Sequence, residues 1–511
     1  MVRGHSRVAA FLTIVTTLLF SLVALSVCPA ATIRASVATD GSQGGDKSSG
    51  PAISADGRYV AFESRASFVA ADTNGRQDIY RHDVVTGETI CVSLAAGGGA
   101  ADLESHAPAI SADGQYVAFD SPASNLVAGD TNGVSDIFVH NCIAGETTRI
   151  TMAPDGSEAN GHSFGPAISD DGRFVAFSSS ADNLVAEDNN AQDDVFVHDL
   201  STGETELVSV SSDGVQGNSW IVGYCDISAD GRYVAFGSWS DNLVENDTND
   251  ADDVFVRDRQ AGTTARVSVS STGSEGADGG DYPSISDDGQ FVSFESSSNN
   301  LVPGDTNGQV DVFLHDCSTG TTTRVSVGSG GVQGNAYSFF PSISGDGRYI
   351  VFASGADNLV SGDTNGKDDI FVFDRVTGST VRVSLTNGGD QANGSCYMSA
   401  ISLHGQSIAF DSKATNLVSN DTNGYRDVFV RQGLDPDHRV TITAGPSGDP
   451  NPVGSGGDVQ CTVSAECSDG HALSYHWSAE DPTGNPAGSF DNATAQNPTW
   501  TAPTNDTQSS A

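Results

Sequence analysis

The chain has 511 residues, 66 of them acidic and 23 basic, for a net charge of −43. A surface this acidic repels phosphate, which excludes nucleic acid and anionic membranes as partners. The acids are 53 Asp and only 13 Glu, and with 58 Gly they make a composition of turns and strands rather than helices, while 37% hydrophobic residues exclude wholesale disorder.

Arg3 and Arg7 precede an apolar run from Val8 to Val27, and the small residues Pro29, Ala30 and Ala31 follow. That order reads as a secretory signal peptide over residues 1–31, cut after Ala30 or Ala31. The alternatives are an uncleaved anchor, because the run is long enough to span a bilayer, and a lipoprotein. Leu25-Ser26-Val27-Cys28 approximates a lipobox, but Val27 stands where a small residue belongs and Pro29 follows. The expected location is outside the cytoplasm: periplasmic, cell-surface or extracellular, with no membrane insertion after cleavage. Beyond Cys28 the cysteines are Cys91, Cys142, Cys225, Cys317, Cys396, Cys461 and Cys467, an odd set without a C-x-x-C pair, which reads as free, buried thiols.

The segment Ile53-Ser54-Ala55-Asp56-Gly57-Arg58-Tyr59-Val60-Ala61-Phe62 recurs with its first Ile at 110, 168, 227, 285, 343 and 401. A near-constant period marks one structural unit per repeat. Each unit reads as four short strands; in the second these are Pro108–Ser111, Tyr116–Asp120, Ile137–His140 and Thr148–Thr151, here termed a, b, c and d. Strands b and c are apolar on both faces, so each sheet needs a neighbour on either side. Radial packing into a seven-bladed β-propeller over residues 32–435 meets that need. The seventh repeat stops after strand c, whereas Thr32–Val37 matches strand d, so the N-terminal strand is expected to close the last blade and pair its open edge.

The template P-x-I-S-x-D-G-[RQ]-[YF]-V-x-F, then N-L-V-x-x-D-T-N-G-x-x-D-[IV]-F-V, then T-G-x-T-x-R-V-S-V, resembles the TolB-type, WD-like β-propeller repeat of exported bacterial and archaeal proteins. The resemblance covers residues 32–433. It implies the fold, and it implies partner-binding scaffolds for the most part, with some enzymes among such propellers.

In an up-and-down blade the b–c and d–a connections share one face, and they are the long ones, where binding usually resides. Every b–c loop ends in a cluster of two carboxylates and an amide at positions 1, 3 and 7: Asp72, Asn74, Asp78; Asp130, Asn132, Asp136; Asp188, Asn190, Asp194; Asp247, Asn249, Asp253; Asp305, Asn307, Asp311; Asp363, Asn365, Asp369; Asp421, Asn423, Asp427. Hard oxygen donors on a tight turn suit Ca²⁺, although the distal Glu of the familiar Ca²⁺ loop is absent. The other reading is a set of Asx-turns with the last Asp capping loop amides. The d–a loops carry a repeated Asp or Asn, among them Asn218, followed by Trp220, Tyr224, Tyr282, Tyr337, Phe339, Phe340 and Tyr397, which suit stacking on a sugar or an aromatic-anchored protein contact. Their alternative role is to plug the channel.

Catalysis needs titratable groups that converge. His82, His140, His198 and His315 repeat one template position and are spread around the ring, so only His106 and His162, with Glu104, could meet near the axial mouth. No nucleophile elbow, H-E-x-x-H or P-loop occurs. The expected function is therefore an exported, non-catalytic scaffold presenting its loop-rich face to a protein or glycan, and the alternative is a carbohydrate-active hydrolase or lyase at the axial mouth. No cofactor other than Ca²⁺ is expected. Residues 436–511 open a different all-β pattern, with Asp458–Cys467, Leu473–Ser478 and Thr499–Thr501, resembling part of a PKD-like or bacterial immunoglobulin-like sandwich that ends before its last strands.

Overall fold

A computed structural model of the chain describes residues 31–433 in full; beyond them it describes only the backbone of Leu19–Leu22, Val440–Asp449, Asp458–Cys467, Trp477–Glu480, Ser489–Phe490 and Thr499–Thr501. Two compact units result, Ala30–Leu434 and the combination of Met1–Pro29 with Asp435–Ala511.

The first unit is a seven-bladed β-propeller. Blade 1 consists of Ser48–Ile53, Tyr59–Ser64, Asp78–Asp83 and Thr89–Cys91 as strands a to d, and each later repeat builds the same antiparallel sheet. The predicted strand bounds shift slightly: in blade 2 strand a is His106–Ile110 and strand d is Glu146–Arg149. Strand a starts earlier because it contains a bulge, with the register shifting between His106 and Ala109.

Strands b and c carry the core. In each blade one aromatic of strand b faces one of strand c, from Phe62 opposite Tyr80 to Phe410 opposite Phe429. These rings lie 5.8–6.0 Å apart. The apolar clusters lie between blades rather than within them, and one of them joins Val428 and Val430 of blade 7 to Val60 and Phe62 of blade 1. A single blade could not bury these faces alone, so the ring is the folding unit.

Two devices close that ring. Ala31–Arg34 pairs antiparallel with strand c of blade 7, Asp427–Gln432, as its outer strand. At the narrow end of the axis, backbone N–H groups donate from blade to blade at 2.9–3.2 Å: Ala55 to Ala112, Ala112 to Asp170, Asp170 to Ala229, Ala229 to Asp287, Asp287 to Gly345, Asp346 to Leu403 and Leu403 to Ala55.

The a–b turns explain part of the acid count. Asp56 Oδ1 accepts from Ser54 Oγ at 2.7 Å and from the Arg58 N–H at 2.9 Å, and the turn glycine takes a left-handed φ. Gly172, at φ +71°, has no room for a side chain, because a Cβ would lie 2.3 Å from the Tyr116 ring of the preceding blade. Gly172→Ala is expected to cost about 2–4 kcal/mol, read from urea unfolding, as left-handed strain adds to overpacking.

In the second unit, Val440–Asp449, Asp458–Cys467, Thr499–Thr501 and Ser489–Phe490 form one antiparallel sheet in that order, and Leu19–Leu22 pairs with Trp477–Glu480. The second layer of the expected sandwich and Ala30, one expected cleavage position, fall outside the described residues, whereas Ala31, the other, begins the closing strand. Among the described residues no helix is long and apolar enough to cross a membrane. Cys91, Cys142, Cys225, Cys317 and Cys396 carry free thiols; Cys91, Cys225 and Cys396 are buried, whereas Cys142 is half-buried and Cys317 exposed.

Candidate functional site

The loop clusters come first in the chain. In all seven, the Asn side-chain amide donates to the last Asp at 2.7–3.3 Å. Its oxygen caps an N–H two residues on, as Asn74 Oδ1 does for Arg76 at 2.7 Å. The other oxygen of the last Asp accepts from a hydroxyl two residues beyond strand d, as Asp78 does from Ser93 at 2.7 Å. The amides expected as metal ligands at Asn74, Asn132, Asn190, Asn249, Asn307, Asn365 and Asn423 are thus spent on turn geometry.

The two carboxylates of a cluster have a partner the loop motif does not contain. In five blades the outermost strand supplies an arginine whose guanidinium reaches both of them. Arg149 lies 2.9 Å from Asp130 and 3.4 Å from Asp136, and Arg266 lies 3.0 Å from Asp247 and 3.0 Å from Asp253. Arg324, Arg382 and Arg34 bridge Asp305 with Asp311, Asp363 with Asp369 and Asp421 with Asp427 at 3.0–3.7 Å. Ca²⁺ between these carboxylates would have to displace a buried guanidinium. Blade 1 has Cys91 in place of the arginine, and there the Tyr80 hydroxyl donates to Asp72. Blade 3 has Leu207 there. In these two blades burial pushes the last carboxyl, Asp78 and Asp194, up to about 6.

Arg266→Met is expected to destabilise the fold by about 3–5 kcal/mol, read from denaturant unfolding, since it leaves Asp247 and Asp253 buried without a cation.

The axial mouth is an open cavity of about 710 Å³. Strand a lines it, and its bulge residue turns left-handed: Gly50, Ala107, Gly165, Gly223, Tyr282 and Phe340 have φ between 49° and 67°. In four of these blades the bulge aims an N–H at a carboxylate on strand b of the preceding blade, Ala107 at Glu63 among them. Gly50 donates to Asp411 at 3.2 Å, Gly165 to Asp120 at 3.2 Å and Phe340 to Glu295 at 2.7 Å. Glu63 holds the same template position in blade 1, and with Asp120 and His106 it lines the cavity.

His106 interacts electrostatically with both Glu63 and Asp120. Burial pushes Asp120 up to about 6, and Asp411 and Glu295 up to about 7. Burial would raise Glu63 too, but the interaction with His106 in its protonated form and a hydrogen bond from Ser49 outweigh it and hold that carboxyl below its ordinary value. Glu63 in turn favours the protonated form of His106 and raises it, against burial. His106 Nδ1 lies 2.8 Å from the Gln77 amide and 3.7 Å from Glu63. With the Gln77 amide nitrogen as donor, His106 is neutral and carries its proton on Nε2; protonation on Nδ1 requires that amide to turn over.

The opposite wall is aromatic. Tyr224, Tyr282 and Phe340 line the cavity, and Gly165 makes room for Tyr224, since a Cβ there would lie 2.5 Å from its ring. Tyr282 meets Phe340 at 4.8 Å, and the run continues to Phe339 at 4.9 Å and Tyr337 at 5.5 Å. Tyr397 lies beneath Arg426 at 4.0 Å. Trp220 stays 57% exposed, beyond the cavity lining.

His106, Tyr224, Tyr282 and Phe340 therefore reach the site as expected from sequence, and the other expected residues do not. His162 is exposed and accepts the Ser135 N–H at 3.0 Å, while Glu104 pairs with Arg76 at 3.3 Å, so the expected His106–His162–Glu104 cluster does not form. Asn218 binds Asp241 at 2.6 Å and staples two loops together. His82, His140, His198 and His315 face strand-d threonine hydroxyls at 2.8–3.0 Å. Sequence reasoning missed Glu63, Asp120, Glu295 and Asp411. Their signal is an acid at the residue after the strand-b Phe, where other blades have Ser178, Gly237 and Ala353.

No protein-family model matches the chain, and no curated protein matches it. Among solved structures it is similar to TolB from Acinetobacter baumannii, at 17% identity and a TM-score of 0.37 over 64% of this chain and 63% of that one. The chain thus spans less than two thirds of that protein's length. It is also similar to an oligogalacturonate lyase in complex with manganese, at 15% identity and a TM-score of 0.46 over 81% of this chain and 96% of that one. The class of the protein rests on its own architecture: a seven-bladed β-propeller with an acidic and aromatic axial mouth.

Proposed function

We propose that the chain is an exported, non-catalytic propeller scaffold whose axial cavity binds a cationic segment of a protein partner. One observation carries this reading: the cavity joins Glu63 and Asp120 to the wall of Tyr224, Tyr282 and Phe340, with no Lys or Arg among its lining residues. Carboxylates facing aromatic rings favour an ammonium or guanidinium group, which gains both ion pairing and cation–π contact. The overall charge of −43 steers such a ligand inward. Export rests on the basic and apolar segment over residues 1–31.

The arrangement of His106 with Glu63 and Asp120 favours a second reading, acid–base chemistry on a neutral glycan stacked against the tyrosines. A polyuronate fits poorly, since its carboxylates would meet those of the cavity.

Fluorescence anisotropy with labelled basic, neutral and acidic peptides, and with neutral and uronic oligosaccharides, separates these readings. Basic peptides are expected to bind with an affinity that falls as salt rises. Equal binding of acidic peptides would overturn the scaffold reading. Turnover of a glycan that His106→Ala abolishes would replace it with the catalytic one.

A further inference from the structure

The seven b–c loops form a natural substitution series around one charged slot. Five blades fill the slot with an arginine, and blade 1 satisfies its first carboxylate with the Tyr80 hydroxyl. Blade 3 has neither solution. Leu207 stands in place of the arginine and Phe196 in place of the tyrosine. Asp188 is 8% exposed, and its Oδ1 is fully buried without a hydrogen-bond partner. The second carboxylate, Asp194, is 1% exposed and receives only neutral donors, Ser209 at 2.5 Å and Asn190 at 2.7 Å.

A buried carboxylate oxygen without a partner is a strong demand for positive charge. The arginine blades show where that charge belongs. In blade 4 the guanidinium touches Asp247, Asp253 and the carbonyl of Asn246, at 3.0, 3.0 and 3.3 Å. The corresponding oxygens of blade 3 are those of Asp188, Asp194 and the Glu187 carbonyl, and that carbonyl already accepts from the amides of Gln216 at 2.6 Å and Asn189 at 2.8 Å. We infer that blade 3 alone carries a divalent-cation site, with Asp188 and Asp194 as hard oxygen ligands in the slot that arginine fills elsewhere. Ca²⁺ suits it, because a site of two carboxylates completed by water lies within the flexible oxygen coordination that this ion accepts. The repeated Asp-x-Asn loop is thus a structural element in six blades and a metal site in one, independent of what the axial cavity binds.

Calorimetric titration and thermal melting with Ca²⁺ against EGTA test this on the full chain. The wild type is expected to bind one Ca²⁺ per chain saturably, and saturation should raise the melting midpoint by about 2–4 °C. Leu207→Arg supplies the missing guanidinium and should lose both the binding and the shift, while its midpoint in EGTA rises above that of the wild type. Asp188→Asn removes a ligand without adding bulk and should also abolish binding, which keeps the test decisive if the arginine variant folds poorly. Leu207→Met should bind as the wild type does. An absence of saturable binding in the wild type, or binding that survives both Leu207→Arg and Asp188→Asn, would overturn the inference.

Discussion

Deleting residues 31–37 is expected to abolish the folded ring, giving a chain that aggregates or melts without a cooperative transition. The segment contributes far more than an outer strand. Ala35 is fully buried between blades 7 and 1, and its N–H donates to the Val428 carbonyl at 2.8 Å. Ser36 donates to Asp427 at 2.6 Å and accepts the Val428 N–H at 3.0 Å. Thr32 reaches across to the Leu385 carbonyl of blade 6 at 2.6 Å. Arg34 is the counter-ion of Asp421 and Asp427. Removing that arginine alone, as Arg34→Met, should cost about 3–5 kcal/mol, because two buried carboxylates lose their cation. The whole deletion adds an unpaired sheet edge and unsatisfied backbone groups, a loss comparable with the roughly 5–15 kcal/mol that usually holds a domain together. Circular dichroism melting and size-exclusion chromatography of the two variants check both expectations.

Stability should be greatest near pH ~4, fall as pH rises to about 7, and level off beyond it. Burial pushes Asp78, Asp120, Asp194, Asp226, Asp247 and Asp252 up to about 6, and Asp287, Glu295 and Asp411 up to about 7. Unfolded, these carboxyls titrate near pH ~4. Between those values the folded chain holds protons that the unfolded chain releases, so stability declines as pH rises. His106, raised by Glu63, acts in the same direction, its contribution being lost as pH rises through its folded value. His82, His140, His198 and His315, lowered by burial, oppose the trend, because they must charge on unfolding below about pH 6.5. Asp83 and Asp199, held low by hydrogen bonds from their arginine partners and turn amides against the effect of burial, set the acid limit.

Asp287 isolates the effect. It stands at the narrow end of the axis, where burial and then the charges of Asp170, Asp226 and Asp346 raise it. Asp287→Asn is therefore expected to raise the melting midpoint most at pH 8, by less at pH 5, and hardly at all below pH ~4, where the carboxyl is protonated in both states. A midpoint that stays level from pH 5 to pH 8 in the wild type would contradict the assignment of buried, protonated carboxyls.

The repeat makes most of the architecture legible in the amino-acid sequence. A fixed period repeats one hydrophobic pattern, and the missing strand d of the seventh repeat reappears at Thr32, so blade number and closure both follow from spacing. The charge partners are less visible. Arg149 belongs to strand d and lies far along the chain from Asp130, so a reading centred on the b–c loop sees two carboxylates awaiting a metal and not the guanidinium already between them. The bulge is hidden for a similar reason. Ala107 and Phe340 adopt a left-handed φ without being glycine, and only their neighbours in space, the strand-b carboxylates Glu63 and Glu295, explain it, whereas Tyr282 donates its N–H to Asp281 beside it. Tyr224 and Tyr282 are recognisable as mouth residues because they follow loop positions on the innermost strand, whereas Trp220 shares that pattern and stays outside the cavity.

The central claim, that the carboxylates of the axial cavity bind a cationic segment, is tested most directly by calorimetric titration of a Lys-rich peptide. The wild type, the Glu63→Gln/Asp120→Asn variant and a charge-matched Glu146→Gln/Glu204→Gln control, whose glutamates are exposed on strand d, should be titrated in parallel. The cavity variant is expected to bind roughly tenfold more weakly or worse, with the control unchanged. Equal affinity in all three would mean that the peptide responds to the net charge of the surface, and the axial site would be contradicted.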